Sequence, residues 1–152
     1  MKEILSIYLL ILMFNLSLTV ITISPYGGSY EMSSYSSAFR IVSHPNFNRR
    51  TKYGNNKHIS WNFKLGENCC EINIFCPFMR TNANSRCSKC DLLLIRSPRR
   101  NSKFCRFKKP GKDKPLTLLG DAKIIWKTDR RGKERGFECL IRCSNYILYN
   151  YW

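Results

Sequence analysis

Eight cysteines give this 152-residue sequence its greatest capacity for chemistry. Cys87-x-x-Cys90, taken with the adjacent Cys69 and Cys70, supplies the four thiols of a structural zinc site. Neighbouring cysteines chelate one ion awkwardly, however, and an even number of cysteines also suits disulfide bridges. The N-terminal segment, residues 1–22, favours an oxidising compartment in which disulfides persist. We therefore predict disulfides rather than zinc.

Residues that could catalyse a reaction are sparse. His44 and His58 belong to no catalytic motif, and the sequence has no G-x-S-x-G, no H-E-x-x-H and no glycine-rich phosphate loop. Catalysis by a thiol would need an unpaired cysteine beside a histidine, which complete disulfide pairing excludes. The sequence therefore predicts a protein that is not an enzyme.

Basic residues outnumber acidic residues by 26 to 10, which gives a formal net charge of +16. Many fall in pairs between predicted strands, where the loops of a sandwich gather at its two ends. Converging pairs would bind a polyanion such as a sulfated glycan or an anionic membrane surface, whereas scattered pairs would only maintain solubility. The predicted polyanion-binding residues are Arg49, Arg50, Lys52, Arg99, Arg100, Lys108, Lys109, Arg130 and Arg131.

The elements that must position these side chains are predicted to be strands. Apolar residues alternate strictly with polar ones in 59–65, 70–76 and 137–143, which places one buried face on each segment. Leu92 to Ile95 is a continuous apolar run, and 116–126 reads as a strand region interrupted at Gly120 and Asp121. No segment has a helical period. One all-β domain, an antiparallel sandwich or barrel, is predicted.

The N-terminus has the layout of a secretory signal peptide. An apolar run from Ile4 to Ile21 is followed by a turn at Ser24 and Pro25, and small residues allow cleavage between about residues 19 and 24. A membrane anchor is the alternative, because the run approaches the length that spans a bilayer. We predict residues 1–22 as a signal peptide, 23–38 as an irregular lead-in, and a secreted, extracellular protein.

Several short motifs, in order, resemble the skeleton of a CUB domain over residues 39–143. The resemblance implies a two-sheet antiparallel jelly-roll sandwich that binds extracellular protein or carbohydrate and does not catalyse. One departure is Ile59, which stands where the family has a cysteine two residues before the strand tryptophan. The matching pieces are Ile41–Phe47, Tyr53, Ile59–Trp61, Cys90–Ile95, Phe104–Cys105 and Gly136–Phe137.

The resemblance also implies two disulfide pairs. Cys105 would pair with Cys90 or Cys87, with Cys90 favoured, and Cys76 would pair with Cys139 as in arthropod CUB domains, including those of venom serine proteases. The pairing of the other four cysteines stays open. Strand faces favour a bridge from Cys70, which shares a face with Cys76, to Cys143, which shares a face with Cys139. That choice leaves Cys69 for Cys87.

Many CUB domains bind calcium, and three of the implied ligands have counterparts here. Tyr53, Asp91 and Asp129 match the tyrosine and the two aspartates, but no glutamate occupies its expected place, where Arg80 stands instead. Calcium takes several oxygen ligands with net negative charge, which a nearby arginine would offset. Hydrogen-bonded corner residues are the alternative, and we expect no required cofactor.

These features together predict a secreted, non-enzymatic binding protein that recognises an extracellular protein or a polyanionic glycan. The arthropod-type cysteine pair makes a venom or salivary component the specific expectation. Two alternatives are a cationic membrane-active effector and a regulator of serine proteases. A nucleic-acid partner is not expected behind a signal peptide. The aromatic tail, residues 144–152, is predicted either to pack as an added strand or to present an adhesive end.

Overall fold

The structure, a computed structural model, describes residues 19–33, 37–49, 51–82, 91–111, 114–130 and 134–144. Within these ranges the chain forms ten β-strands and a single 3-10 turn at Phe47–Arg49, so the all-β prediction is confirmed. Residues 1–18 and the tail beyond Ser144 lie outside the described residues. Four predicted site residues also lie outside them: Arg50, Cys87, Cys90 and Arg131.

The ten strands form two five-stranded sheets that enclose the core. The first sheet has, in spatial order, β1 (Thr19–Thr22), β3 (Ser37–Val42), β10 (Gly136–Ser144), β5 (Glu71–Arg80) and β8 (Leu116–Leu118). The second sheet has, in spatial order, β2 (Gly28–Met32), β4 (His58–Leu65), β9 (Ala122–Lys127), β6 (Leu92–Ser97) and β7 (Arg100–Phe104).

The core lies where the alternating apolar residues of the two sheets meet. Trp61 of β4 and Trp126 of β9 are fully buried, and both rings meet Phe137 of β10 edge-on, at centroid distances of 6.1 and 5.2 Å. Edge-to-face contacts of this kind suit the quadrupoles of aromatic rings. The aromatic cluster therefore joins the two sheets through their central strands.

The prediction of a purely antiparallel sandwich is wrong for two strand pairs, because β1 pairs with β3 and β2 pairs with β4 in parallel. A parallel pair needs a crossover connection. The chain supplies one by alternating between the sheets: β1 lies in the first, β2 in the second and β3 in the first again. Alternation of apolar residues reports which face is buried but carries no information on strand direction.

The lead-in is also not irregular, since residues 23–38 contain β2 and the start of β3. Of the residues in β2, only Met32 is buried, so the strand has almost no apolar pattern for sequence reasoning to detect. The parallel ladder with β4 supplies its backbone hydrogen bonds instead. Ile23, just before it, lies in the core, and its N–H donates to the carbonyl of Arg40.

The region 116–126 divides where predicted, and its two halves belong to different sheets. β8 ends at Leu118, β9 begins at Ala122, and Gly120 between them adopts a φ of 96°, which favours glycine. The reversal carries the chain from the first sheet to the second. Nowhere in the described ranges is there a helix with the length and apolar character needed to cross a bilayer.

Two disulfides connect the described residues. Cys76 is bridged to Cys139, the pair that the resemblance implies, and Cys69 is bridged to Cys143. The expected pairs of Cys70 with Cys143 and of Cys69 with Cys87 are therefore wrong. The alternation that assigns faces holds only within β5, which begins at Glu71, so it does not extend back to Cys70.

Cys105 is also disulfide-bonded, and its expected partners, Cys87 and Cys90, lie outside the described residues.

Candidate functional site

The structure brings together the three residues of the implied calcium set at one end of the sandwich. Tyr53 precedes β4, Asp91 precedes β6 and Asp129 follows β9. The register explains this, because the starts of β4 and β6 both pair with Lys127 at the end of β9. We call this end of the molecule the loop end.

Asp91 is held by hydrogen bonds on both carboxylate oxygens. The Tyr53 hydroxyl donates to Oδ2, and the backbone N–H of Asp129 donates to Oδ1 at 2.7 Å. The Thr81 hydroxyl donates to the Asp91 carbonyl at 3.3 Å, and the N–H of Asn82 donates to the Tyr53 oxygen at 3.0 Å. Asp91 is 0% exposed, so it links three loops from inside the fold.

Burial sets the protonation of this cluster. Burial raises the pKa of Asp91 above its usual range, while the hydrogen bonds from Tyr53 and from the N–H of Asp129 oppose the rise. Burial also raises the pKa of the Tyr53 phenol, and the neighbouring carboxylate adds to that shift. Tyr53 therefore remains a hydrogen-bond donor to Asp91 throughout the physiological range.

The oxygens at this corner are a poor set for calcium, which takes six to eight oxygen ligands. Both oxygens of Asp91 are already hydrogen-bonded. Arg80 lies where the glutamate of the family is expected, and its Nε forms an ion pair with Glu134 at 3.0 Å. Among the described residues there is no group of three or more metal-ligating side chains. The residues present fit a hydrogen-bonded corner better than a calcium site.

A serine–histidine contact that sequence reasoning missed lies in the opening turn. The Ser43 hydroxyl contacts His44 Nδ1 at 2.8 Å, and His44 Nε2 contacts the Thr51 hydroxyl at 3.1 Å. Burial lowers the pKa of His44, so its ring is neutral at pH 7. Ser43 is only 1% exposed, and a Cβ at Gly136 would lie 1.8 Å from its oxygen. The contact orders the turn, and the Ser43 hydroxyl is buried within it.

Described members of three of the four predicted basic sets lie in loops at the loop end. Hydrogen bonds tie the loops together: Asn55 donates to the carbonyl of Arg130, and the N–H of Thr81 donates to the carbonyl of Arg106. The Lys109 ammonium group donates to the carbonyl of Pro77 at 2.7 Å, which holds it beside β5. The exposed cations of the loop end are Arg49, Lys52, Lys57, Arg106, Lys108 and Arg130.

The fourth set, Arg99 and Arg100, lies in the turn between β6 and β7 at the opposite end of the sandwich. Beside this turn is a cavity of about 390 Å³ on the outer face of the second sheet. Its basic residues are Lys64, Arg96 and Lys123. Sequence reasoning missed them because each is a single cation within a strand. The available signal was that each of the three alternates with buried residues along its strand, which places all three side chains on the outer face of the sheet.

No protein-family model and no curated protein matches the sequence. Several solved structures have the same fold. The CUB1-EGF-CUB2 region of human MASP-1/3 is 18% identical, with a TM-score of 0.61, and the match covers 76% of this chain and 42% of that one. The MASP-1 CUB2 domain bound to Ca2+ is 17% identical, with a TM-score of 0.58, and 74% and 96% are covered.

The full extracellular region of zebrafish Gpr126/Adgrg6 is 13% identical, with a TM-score of 0.58, over 75% of this chain and 14% of that one. The chain thus spans under half of the human chain, about a seventh of the zebrafish chain and almost all of the single CUB2 domain. At these identities the likeness establishes the fold alone.

Proposed function

Since the described residues form a CUB-like domain, we propose that this protein is a secreted, non-enzymatic binding module for an anionic extracellular partner. The partner is an extracellular protein or a polyanionic glycan, and a venom or salivary role is the specific proposal. Disulfides among the described residues and the apolar N-terminal run support an oxidising, extracellular location.

The observation that carries this proposal is the presence of members of three basic sets in loops at the loop end. Its exposed cations surround a corner whose one fully buried acid, Asp91, does not reach the surface. Cross-loop hydrogen bonds hold these loops in place, so little conformational entropy is lost when a partner binds. An ordered basic surface on a chain of net charge +16 attracts anions over several ångströms.

Binding to immobilised heparin, a model polyanion, tests this proposal. The variant Arg49→Gln/Lys108→Gln removes two positive charges from the loop end. The control variant, Lys114→Gln/Arg142→Gln, removes two exposed positive charges elsewhere, so the two variants have the same net charge as each other. Elution of the loop-end variant at clearly lower salt than the control supports the proposal. If both variants elute at the same lowered salt concentration, net charge alone explains the effect and the proposal is contradicted.

Two further assays separate the alternatives. Dye release from anionic vesicles would favour the membrane-active effector, and stoichiometric inhibition of a trypsin-like enzyme would favour the protease regulator. Salt-reversible binding without either activity is the result that we expect.

A further inference from the structure

The cavity on the outer face of the second sheet has the residues of an anion site. We call it the basic groove. It lies across four strands, β2, β4, β9 and β6, and three of its residues are exposed cations while three others offer hydroxyl or amide groups. These six residues are Lys64, Arg96, Lys123, Ser29, Asn62 and Ser97.

The strand register places four of these residues in one continuous row. Ser29 pairs with Asn62, Asn62 pairs with Lys123, and Lys123 pairs with Arg96. Directly paired residues have Cβ atoms about 4.5–5.5 Å apart. The row therefore presents polar groups at nearly regular intervals across the face of the sheet.

The pairing of Lys123 with Arg96 is unfavourable by itself, because like charges directly opposite each other destabilise a sheet. Neither side chain forms an ion pair with an acid in the part of the chain that the structure describes. Arg99 and Arg100 follow in the turn next to the groove, and Pro98 of that turn lines it. A bound anion would remove this repulsion.

Two acids lie near the other side of the groove. Asp121 lines it, but its Oδ1 accepts the N–H of Leu65 at 2.9 Å. Glu31 pairs with Lys64 across β2 and β4, and its side chain packs over Gly66. Glu31 lies opposite Lys64, and Asp121 precedes Lys123 by two residues, so the three cations and one acid that line the groove leave it an excess of positive charge. The charge of Arg96 and Lys123 is left to face the solvent.

We propose that the basic groove binds a sulfated sugar unit of an anionic glycan. The groove is a shallow, solvent-open depression of about 390 Å³. The Arg96 guanidinium has the planar fork that holds an oxyanion at two points, Lys123 adds a point charge, and Asn62 and Ser29 can pair with sugar hydroxyls. This inference rests on the proposed function and adds a second anion site, away from the loop end, with one ligand class.

The mixture of polar groups favours this ligand over an anionic bilayer. A sulfated sugar unit carries an oxyanion beside hydroxyl groups, which match the Arg96–Lys123 pair and the neighbouring Asn62, whereas an anionic bilayer would engage mainly the cations. The occupant is therefore a glycan rather than a membrane.

The test is calorimetric titration of the full secreted chain with a heparin tetrasaccharide. Arg96→Gln/Lys123→Gln removes the unopposed pair and should weaken binding about tenfold or more, as expected for loss of charge-assisted hydrogen bonds. Because the substitution also removes a like-charge contact, this variant should melt at or above the wild-type temperature. The loop-end variant and Lys114→Gln/Arg142→Gln serve as controls of equal net charge, and a desulfated tetrasaccharide serves as the ligand control.

The outcomes distinguish this inference from the proposed function. If the loop-end variant loses tetrasaccharide affinity and the groove variant keeps it, the groove is not the site and the proposed function stands. Equal losses in all three double variants, or equal binding of the desulfated sugar, also overturn the groove. If the wild-type chain binds neither the tetrasaccharide nor polymeric heparin, both the groove as a glycan site and the glycan part of the proposed function are wrong.

Discussion

A single buried carboxylate organises the loop end. Asp91 receives hydrogen bonds from a phenol and from a backbone N–H, and each donor belongs to a different loop. A buried carboxylate without such donors would cost several kcal/mol or take up a proton. The corner therefore depends on Tyr53 as much as on Asp91.

Replacing Tyr53 with Phe should lower the free energy of unfolding by about 1.5–3 kcal/mol, the usual range for a hydrogen bond to a charged group. The ring and its edge contact with Trp126 are retained, so the change isolates the hydroxyl. Urea unfolding measures the difference. Tyr30→Phe, which removes a half-buried hydroxyl bonded to the Gly27 carbonyl, is the control. A loss no larger than in this control would contradict the prediction.

The pH dependence of stability should report the raised pKa of Asp91. An unfolded aspartate has a pKa of about 3.9, so between that value and the higher folded-state pKa the native chain binds more protons than the unfolded chain. Stability from this group is therefore present at low pH and is lost as the pH rises. Urea unfolding of wild type and Asp91→Asn from acid to neutral pH measures it.

Relative to the non-titrating Asp91→Asn chain, wild type should become less stable with rising pH until the folded-state pKa is passed. A relative gain in stability over the same interval would mean that the pKa of Asp91 is lowered instead.

At this scale the sequence identifies some site residues and misses others for definite reasons. Tyr53, Asp91 and Asp129 could be grouped because the resemblance to CUB domains implies one ligand set for them. The face of Cys69 could not be assigned, because it precedes β5 and alternation has no meaning there. Arg96 and Lys123 were overlooked because their proximity depends on the register of β6 with β9.

The N-terminal strands are the elements hardest to predict from the amino-acid composition. β1 and β2 are edge strands of the first and second sheets, and each pairs in parallel with its neighbour, β3 or β4. Met32 and Ile23 contribute to the common core. A segment rich in serine, tyrosine and glycine can thus be a structural part of the sandwich. The sequence predicts the interior strands well because their alternation is strict.

Met32→Ala tests whether β2 belongs to the core. Met32 is 1% exposed, and truncation of a buried methionine costs about 2–5 kcal/mol. Leu119→Ala, between β8 and β9 at a residue 41% exposed, should change stability by about 0.5 kcal/mol or less. Chemical denaturation of both variants compares the two sites. Similar small effects would show that β2 is dispensable.

Under the proposed secretion, signal cleavage should leave Ile23 in the mature chain. Its side chain lies in the core and its N–H is bonded to the carbonyl of Arg40, so cleavage beyond it would remove a buried residue. We expect N-terminal sequencing to find a first residue at or before position 23. A mature chain that begins later and still folds would contradict this expectation.

For the molecule as a whole, stability should be independent of calcium. The corner oxygens are already hydrogen-bonded, and a ligand stabilises a fold only by binding the native state. The melting temperature should be the same in millimolar calcium and in excess chelator. The MASP-1 CUB2 domain, whose structure contains bound Ca2+, is the positive control. A rise of several degrees with calcium in this chain would contradict the prediction.

The sandwich architecture follows from sequence more readily than its connections do. Repeated alternation from β4 onward requires two apolar faces to meet, and the motif order indicates the CUB-like arrangement. Strand direction and sheet membership depend instead on pairings between distant residues, such as β2 with β4, for which no local pattern exists. The basic groove is a product of the same pairings.

The disulfide between Cys76 and Cys139 joins the neighbouring strands β5 and β10, and the one between Cys69 and Cys143 joins the segment just before β5 to β10. The chain between Cys76 and Cys139 contains β6, β7, β8 and β9. Within this stretch, extracellular trypsin-like proteases would cut after the exposed residues Arg99, Arg100 and Lys108. A single nick there leaves both fragments covalently tied and still paired in the sheets. The molecule can therefore remain one particle after its backbone has been broken, until a reductant separates the pieces.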